Sequence, residues 1–321
     1  MRKTMIRGFV IALVTIITST ACFAQEAASI EPRGFSLGLN YGVSDLWGDV
    51  GTKNVIDHYT NNKYFDLVHY MGGINIRYCI APALSLRLNL NYGTIFASDE
   101  WNVQKAKQAS SLGDDYVQRY SRYQIVKDNI WESSITFEFS PLRLGNYGGK
   151  SARRAGQPYL LAGIGYFHFQ PYAMYTDPVS KISNWVKTYD LHLEGDGFSN
   201  MPGAPPAYSL WQIEIPLGLG YKIDIGEHLN IGVQWEWRMT TFDYLDGVSN
   251  KYIDPKYFDL NLSPANAAIA KALANRTWIN NIDKTVAPGD MRGNPGNNDS
   301  YSTLSFVIYY KFNTRRGSWW Q

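Results

Sequence analysis

Leu84-Ser85-Leu86-Arg87-Leu88-Asn89-Leu90-Asn91-Tyr92 alternates apolar and polar residues without a break. Successive side chains of a strand point to opposite faces. This segment therefore predicts a strand with one face wholly apolar and the other carrying Arg87, Asn89 and Asn91. The same period-2 pattern recurs in 34–43, 130–143, 210–223, 229–242 and 300–313. Examples are Trp131, Ile135, Phe137 and Phe139 against Glu132, Ser134, Thr136 and Glu138, and Ile213, Ile215, Leu217 and Leu219 against Gln212, Glu214 and Lys222. Less tidy copies lie in 67–80 and 158–172, the latter apolar on both faces. The total is eight segments.

The connections between these segments alternate in length. Those at 44–66, 96–129, 173–209 and 243–299 are long, and those at 81–83, 144–157 and 224–228 are shorter. Short turns at one end and long loops at the other describe an all-β, eight-stranded antiparallel transmembrane β-barrel with long extracellular loops. Segments of this length suffice to cross a bilayer at a tilt. A soluble eight-stranded cup is the rival. Its interior, just wide enough for side chains, would have to hold Trp131, Trp211, Trp235 and Trp237 with many Leu, Ile, Tyr and Phe. The rings also gather at the segment ends. Tyr41, Tyr70, Tyr92, Trp131, Phe169, Trp211, Trp235 and Trp237 are expected toward the loops. Phe35, Tyr78, Phe139, Tyr159, Tyr221, Tyr310 and Phe312 are expected toward the turns, making two girdles about an aliphatic waist.

Composition agrees. Of 321 residues 45% are hydrophobic, 15% aromatic and only 18% charged, with 28 Gly and two Cys. That balance argues against disorder, a coiled coil or a disulfide scaffold. The formal net charge of +2 gives no footprint for nucleic acid. Residues 1–24 place Arg2, Lys3 and Arg7 before the apolar stretch 9–20 and Ala21-Cys22-Phe23-Ala24. This reads as a secretory signal peptide, leaving 25–321 as the barrel, Cys79 as its one thiol, and the outer membrane of a Gram-negative bacterium as destination. A lipoprotein cut before Cys22 is the rival, disfavoured by Ser19.

With the apolar faces in lipid, the lumen receives Arg77, Arg87, Lys222, Arg238 and Lys311 together with Glu132, Glu138, Glu214 and Glu236. Unpaired buried charge is costly, so these groups are expected to form a salt-bridge plug rather than line a channel. His58, His69, His168, His192 and His228 are scattered. His69 and His168 are expected to approach near the outer rim, but no nucleophile signature accompanies them. No catalytic residue, cofactor or metal is assigned. The oxygen-rich run Asp290, Asn294, Asn297, Asn298 and Asp299 lacks calcium-loop spacing and reads as turn chemistry. Ser263 and Pro264 predict the start of a helix in the last loop, and 101–124 another. Lys150, Arg153 and Arg154 in a turn, with Arg315 and Arg316 in the tail, make a basic turn side suited to a periplasmic protein partner; outer-membrane lipid is the other partner expected.

Two stretches carry more than a generic barrel. Gly48-Asp49-Val50-Gly51 follows the first segment, and Met291-Arg292-Gly293-Asn294-Pro295-Gly296-Asn297-Asn298-Asp299-Ser300-Tyr301 leads into the last. With the order of strands, they resemble the PorG-like outer-membrane barrels of Bacteroidota, which accompany type IX secretion and gliding machinery. The resemblance implies eight strands, no catalytic activity, and a scaffold role through a periplasmic partner, since the founding member touches the periplasmic ring of the apparatus. Gly48, Asp49, Arg292, Gly293, Asn294, Asp299 and Tyr301 occupy the family positions. Ser300 stands where the family has an aromatic residue, and the loops 173–209 and 243–299 are longer than its norm, which points toward a paralogue. First and last strands adjoin in a closed barrel, so Arg292 is expected to fold back onto a carboxylate of the first loop, with Asp49 the candidate.

Overall fold

The computed structural model describes residues 34–52, 68–81, 83–143, 156–177, 179–225, 228–279 and 286–312. The signal segment 1–24, His58, Lys150, Arg153, Arg154, Arg315 and Arg316 lie outside the described residues.

Eight long strands close on themselves. In chain order they are β1 (Gly34–Trp47), β2 (His69–Ala81), β3 (Leu84–Ser98), β4 (Ile125–Phe139), β5 (Gly156–Thr176), β7 (Trp211–Ile225), β8 (Leu229–Thr240) and β9 (Ser300–Lys311). A short β6 (Ser183–Lys187) pairs with the far end of β5. The barrel order is β4-β3-β2-β1-β9-β8-β7-β5, with β4 pairing β5 to complete the ring. Every pairing is antiparallel. Closure leaves no strand edge within the wall, which is the condition for sheet structure in lipid.

Burial is inverted relative to a soluble protein. Leu39, Ile74, Leu90, Ile164, Ile213, Leu219 and Phe306 lie exposed on the outer wall, while Arg77, Arg87, Lys222 and Arg238 are each 1% exposed inside. Rings bound the outer belt. At the loop end Tyr41 stacks on Tyr70 at 5.6 Å, Tyr92 meets Trp131 at 4.4 Å, and Tyr166 stacks on Trp211 at 5.1 Å. At the turn end Phe35 meets Tyr78 at 4.8 Å and Tyr310 meets Phe312 at 5.4 Å.

The register of β5 corrects the sequence reading. Tyr159 and Phe169, expected in the outer girdles, both face inward and are buried. The outward face is Leu160, Ile164, Tyr166 and His168 instead. The reason is space. Inward Gly165 lies against the Glu214 side chain, and Gly220 gives up its side-chain volume to the Tyr159 ring. The outward face can then run apolar from Leu160 to Tyr166.

The described parts of the long connections fold over one mouth of the barrel. Two helices, α1 (Val103–Gln108) and α2 (Asp115–Arg122), lie between β3 and β4; α3 (Lys256–Asn261) and α4 (Pro264–Ala274) lie between β8 and β9. Ser263 caps α4 by accepting a hydrogen bond from Asn266 N at 3.3 Å, with Pro264 in its first turn. Its Ala267, Ala270, Leu273 and Ala274 join Leu46, Ile95, Ile130, Phe167, Phe169, Leu245, Phe258 and Tyr301 in one apolar core. The mouth is thus filled like the interior of a soluble domain.

A charge on the outer belt tests where the wall sits. Leu88→Arg on β3 should cost about 2–4 kcal/mol of unfolding free energy in lipid vesicles, the range for a cation on the lipid face near mid-bilayer. Urea unfolding of both proteins in the same vesicles measures it. An effect within experimental error would mean that the belt does not face lipid.

Candidate functional site: a plugged lumen beneath a loop cap

The lumen charges sort into two layers. Toward the turns, Glu138 collects three cations: Arg77 at 3.0 Å, Lys222 at 2.5 Å and Arg87 at 3.6 Å. Arg77 also donates to Asn230 Oδ1 at 3.0 Å, Arg87 donates to Gln234 Oε1 at 2.8 Å, and the Arg77 guanidinium lies 4.4 Å from the centre of the Tyr309 ring. Lys311 is held not by a glutamate but by Asp224, at 2.8 Å. Toward the loops, Arg238 meets Glu132 at 2.7 Å and Glu236 at 3.2 Å, and donates to Thr303 Oγ1 at 2.8 Å. Asn91 donates to Glu132 at 2.9 Å. Glu214 takes the Tyr301 hydroxyl rather than a cation. These elements converge because alternate residues of every strand point inward, and the ring of eight brings them within hydrogen-bond reach.

The motif residues build the cap above this plug. Strands β1 and β9 are neighbours, with Trp47 opposite Ser300, so the two motif loops do meet. Their contact differs from the expected Arg292–Asp49 pair. Arg292 Nη1 lies 2.8 Å from Glu194 Oε1 and donates to Gly247 O at 2.7 Å. The Asp49 carboxylate instead accepts from Asn294 N. Backbone geometry explains the exchange. Arg292 N and Gly293 N both donate to Asn250 O, at 2.7 and 3.0 Å, and this fixes the chain direction at Arg292. A side chain on Gly293 would run into Asp49 Oδ2 and the Ser249 backbone.

Three residues central to the cap were not singled out in the sequence. Glu194 accepts from Ser249 N at 3.0 Å and Asn250 N at 2.6 Å besides binding Arg292. Arg122 grips Asp99 through two nitrogens, each at 2.9 Å, and donates to Arg292 O at 2.9 Å and to Asp49 O. Burial pulls the Arg122 guanidinium down, but Asp99 more than offsets it and holds its pKa above the ordinary arginine value. Arg119 of α2 donates to Asp49 O as well. The only sequence signals were an acid set in the Glu194-Gly195-Asp196-Gly197 run, where Gly195 and Gly197 adopt positive φ, and two arginines one turn apart on a short helix.

The histidines do not come together as expected. His69 stacks on Phe96 at 4.8 Å, whereas His168 faces outward against Trp211 at 4.8 Å. His192 pairs with Asp196 at 3.0 Å, which raises its pKa, and His228 contacts Lys311 O at 3.0 Å. Among the described residues, no group of three or more His, Cys, Asp or Glu is arranged to hold a metal. In the oxygen-rich run, Asp290 accepts from Ala287 N at 2.8 Å and Asn294 accepts from Gly296 N at 3.3 Å, both turn contacts.

No protein-family profile and no curated protein matches the sequence. Among solved structures, the chain is similar to a major outer membrane protein from Thermus thermophilus (TM-score 0.37, 11% identity, covering 87% of this chain and 100% of that one). It is also similar to Neisserial surface protein A (0.36, 8%, 87% and 97%). A third is Ail, the attachment invasion locus protein of Yersinia pestis, in complex with the heparin analogue sucrose octasulfate (0.35, 9%, 88% and 100%).

Glu138→Ala is the sharpest test of the plug, because it leaves Arg77, Arg87 and Lys222 without their shared carboxylate. Breaking a buried ion pair from one side costs about 3–5 kcal/mol. Urea titration in vesicles should show a loss of that order or a failure to assemble. Wild-type stability would mean that water already screens these charges.

Proposed function

We propose that the chain is a non-enzymatic barrel of a Gram-negative outer membrane that acts as an anchor. Its wall sits in lipid, its lumen is sealed, and its cap stands outside the cell. The observation that carries this reading is the pairing of an exposed apolar belt with a lumen filled by partnered charge. Such an interior offers neither a bore nor an open site, so the working surfaces are the two ends.

The finer reading makes it a scaffold for a secretion apparatus of the type IX kind, bound through a periplasmic partner. It is supported by the likeness of Gly48-Asp49 and of the stretch 292–301 to the PorG-like barrels. The contact would involve Lys150, Arg153, Arg154, Arg315 and Arg316 on the turn side. A second reading, a surface-binding protein or adhesin working through its loops, is favoured by the folded cap. A polar cleft of about 390 Å³ opens there among Trp47, Trp237, Arg119, Asn294 and Asn297.

One set of variants separates the two. Changing Arg153, Arg154, Arg315 and Arg316 together to Ser should leave the barrel assembled and weaken co-purification of the partner. The loss should deepen with salt, since exposed charges are screened over about 8–10 Å at cellular ionic strength. Orientation is read in the same cells. A cysteine at exposed Lys107 should be labelled by an impermeant reagent, and one at exposed Leu142 should not. Intact co-purification in the quadruple variant, with loss on trimming 243–299, would replace the scaffold reading by the surface-binding one.

A further inference from the structure

We propose that Asp299 holds a proton against Asp246 and that this proton latches the cap over the barrel mouth. Both residues are buried, at 0% and 1% exposure. A side chain begun at Gly48 would lie 2.4 Å from both Asp246 Oδ2 and Asp299 Oδ1, so the two carboxylates flank the same point. Any side chain at position 48 would push both carboxylates away.

The hydrogen bonds say which oxygen carries the proton. Asp246 Oδ2 accepts from Val50 N at 2.7 Å, and Asp246 Oδ1 accepts from Val248 N at 2.8 Å. Asp299 Oδ2 accepts from Leu245 N at 2.8 Å and from Asp246 N at 3.3 Å. Among the described residues, Asp299 Oδ1 has no hydrogen-bond partner. Of the four carboxyl oxygens, three are committed as acceptors, and a proton on the fourth can be donated to Asp246 Oδ2.

The surroundings favour keeping that proton. Asp49 from the first loop brings negative charge to the pair, and the carboxyls of Asp243, from the loop of Asp246, and Asp128, from β4, stand beside it. Arg122 of α2 faces Asp246 but is already gripped by Asp99, and Arg292 is taken by Glu194. Two carboxylates pressed together without a cation between them do not both ionise. Burial first, then Asp49, pushes Asp246 up to about 7; burial first, then Asp246, holds Asp299 well above the carboxylate range. Asp243, mainly through burial, is pushed up to about 8.

The latch has a direction. Opening the cap returns the pair to water, where aspartate titrates near ~4, so the closed cap binds the extra proton. Closure is therefore favoured most strongly in acid. It weakens as pH rises and levels off once the pH passes the closed-state pKa. Each proton of difference between closed and open cap is worth about tenfold per pH unit over the range where it titrates. The device joins three segments far apart in sequence: the end of β1, the loop after β8 and the lead into β9.

The test uses the full-length mature protein in lipid nanodiscs. Hydrogen-exchange protection factors, which remove intrinsic pH effects, are measured at the amides of Val50, Leu245 and Val248 from pH 5 to pH 8. In the wild type they should fall by about tenfold or more across this range, while amides of the β3 wall stay constant. Asp299→Asn places an NH2 where the proton sits and keeps the acceptor for Leu245 N, so protection should remain high and fall less steeply with pH than in the wild type. Asp246→Asn turns a donor toward Val50 N or Val248 N, so protection should be low at every pH. A wild type whose cap amides do not respond to pH, or an Asp299→Asn variant that titrates like the wild type, would overturn the latch. Should Asp299→Asn fail to assemble, difference infrared spectra of the wild type decide: a buried carboxylic-acid C=O band must be lost between pH 5 and 8, and its absence at pH 5 refutes the proposal.

Discussion

Glu138, holding Arg77, Arg87 and Lys222 within 3.6 Å, is the interaction on which the rest depends. A ring of eight strands turned apolar side outward sends half its side chains into a space with little room for water. Charge placed there is tolerated only when partnered. The partners come from β2, β3, β4 and β7, so the network is complete only when the ring has closed. Closure and charge pairing are in this sense one event. The same constraint explains the rings laid beside cations, such as Tyr309 under Arg77, and the glycines opposite bulky inward side chains.

Above the plug, the cap follows from the adjacency of β1 and β9. Their pairing from Ser36 with Lys311 to Trp47 with Ser300 delivers Gly48 and Asp49 to the stretch 292–299. Arg119 and Arg122 of α2 then tie the Asp49 carbonyl in place, and α4 brings its alanines onto Phe167, Phe169 and Tyr301. The cap thus has an apolar centre and a charged seam. Helix α4 has little of its own to hold it beyond the Ser263 cap and this packing, so its order is borrowed from the barrel mouth.

Much of the barrel was legible in the sequence because lipid enforces an alternation that a single strand already displays. Leu84–Tyr92 shows it, and the short turns at one end supplied the topology. The register of β5 was not legible. Tyr159, Leu161, Phe167 and Phe169 are as apolar as their neighbours, and only the position of Gly165 against Glu214 and of Gly220 against Tyr159 decides between the faces. The lumen charges could be named from their strand parity, since parity fixes the face. Their partners could not: Lys311 chose Asp224, and Glu214 took a tyrosine. In the cap, where no period operates, the motif loops were expected to meet, yet the partner of Arg292 came from Glu194, far away in sequence. The stretch 99–124 and the loop after β8 likewise carried their helices visibly but not the buried Asp99–Arg122 and Asp246–Asp299 contacts, because nothing local distinguishes a buried aspartate from a capping one.

The most direct measurement of the central claim, a barrel sealed by its own paired charges and closed by its cap, is electrical. Purified full-length protein reconstituted into a planar bilayer should give no stepwise conductance at any applied voltage short of membrane breakdown, while parallel samples confirm insertion by heat-modifiable migration. Steady, reproducible conductance steps from inserted protein would contradict the account, because they would require a continuous water path past Glu138 and Arg238.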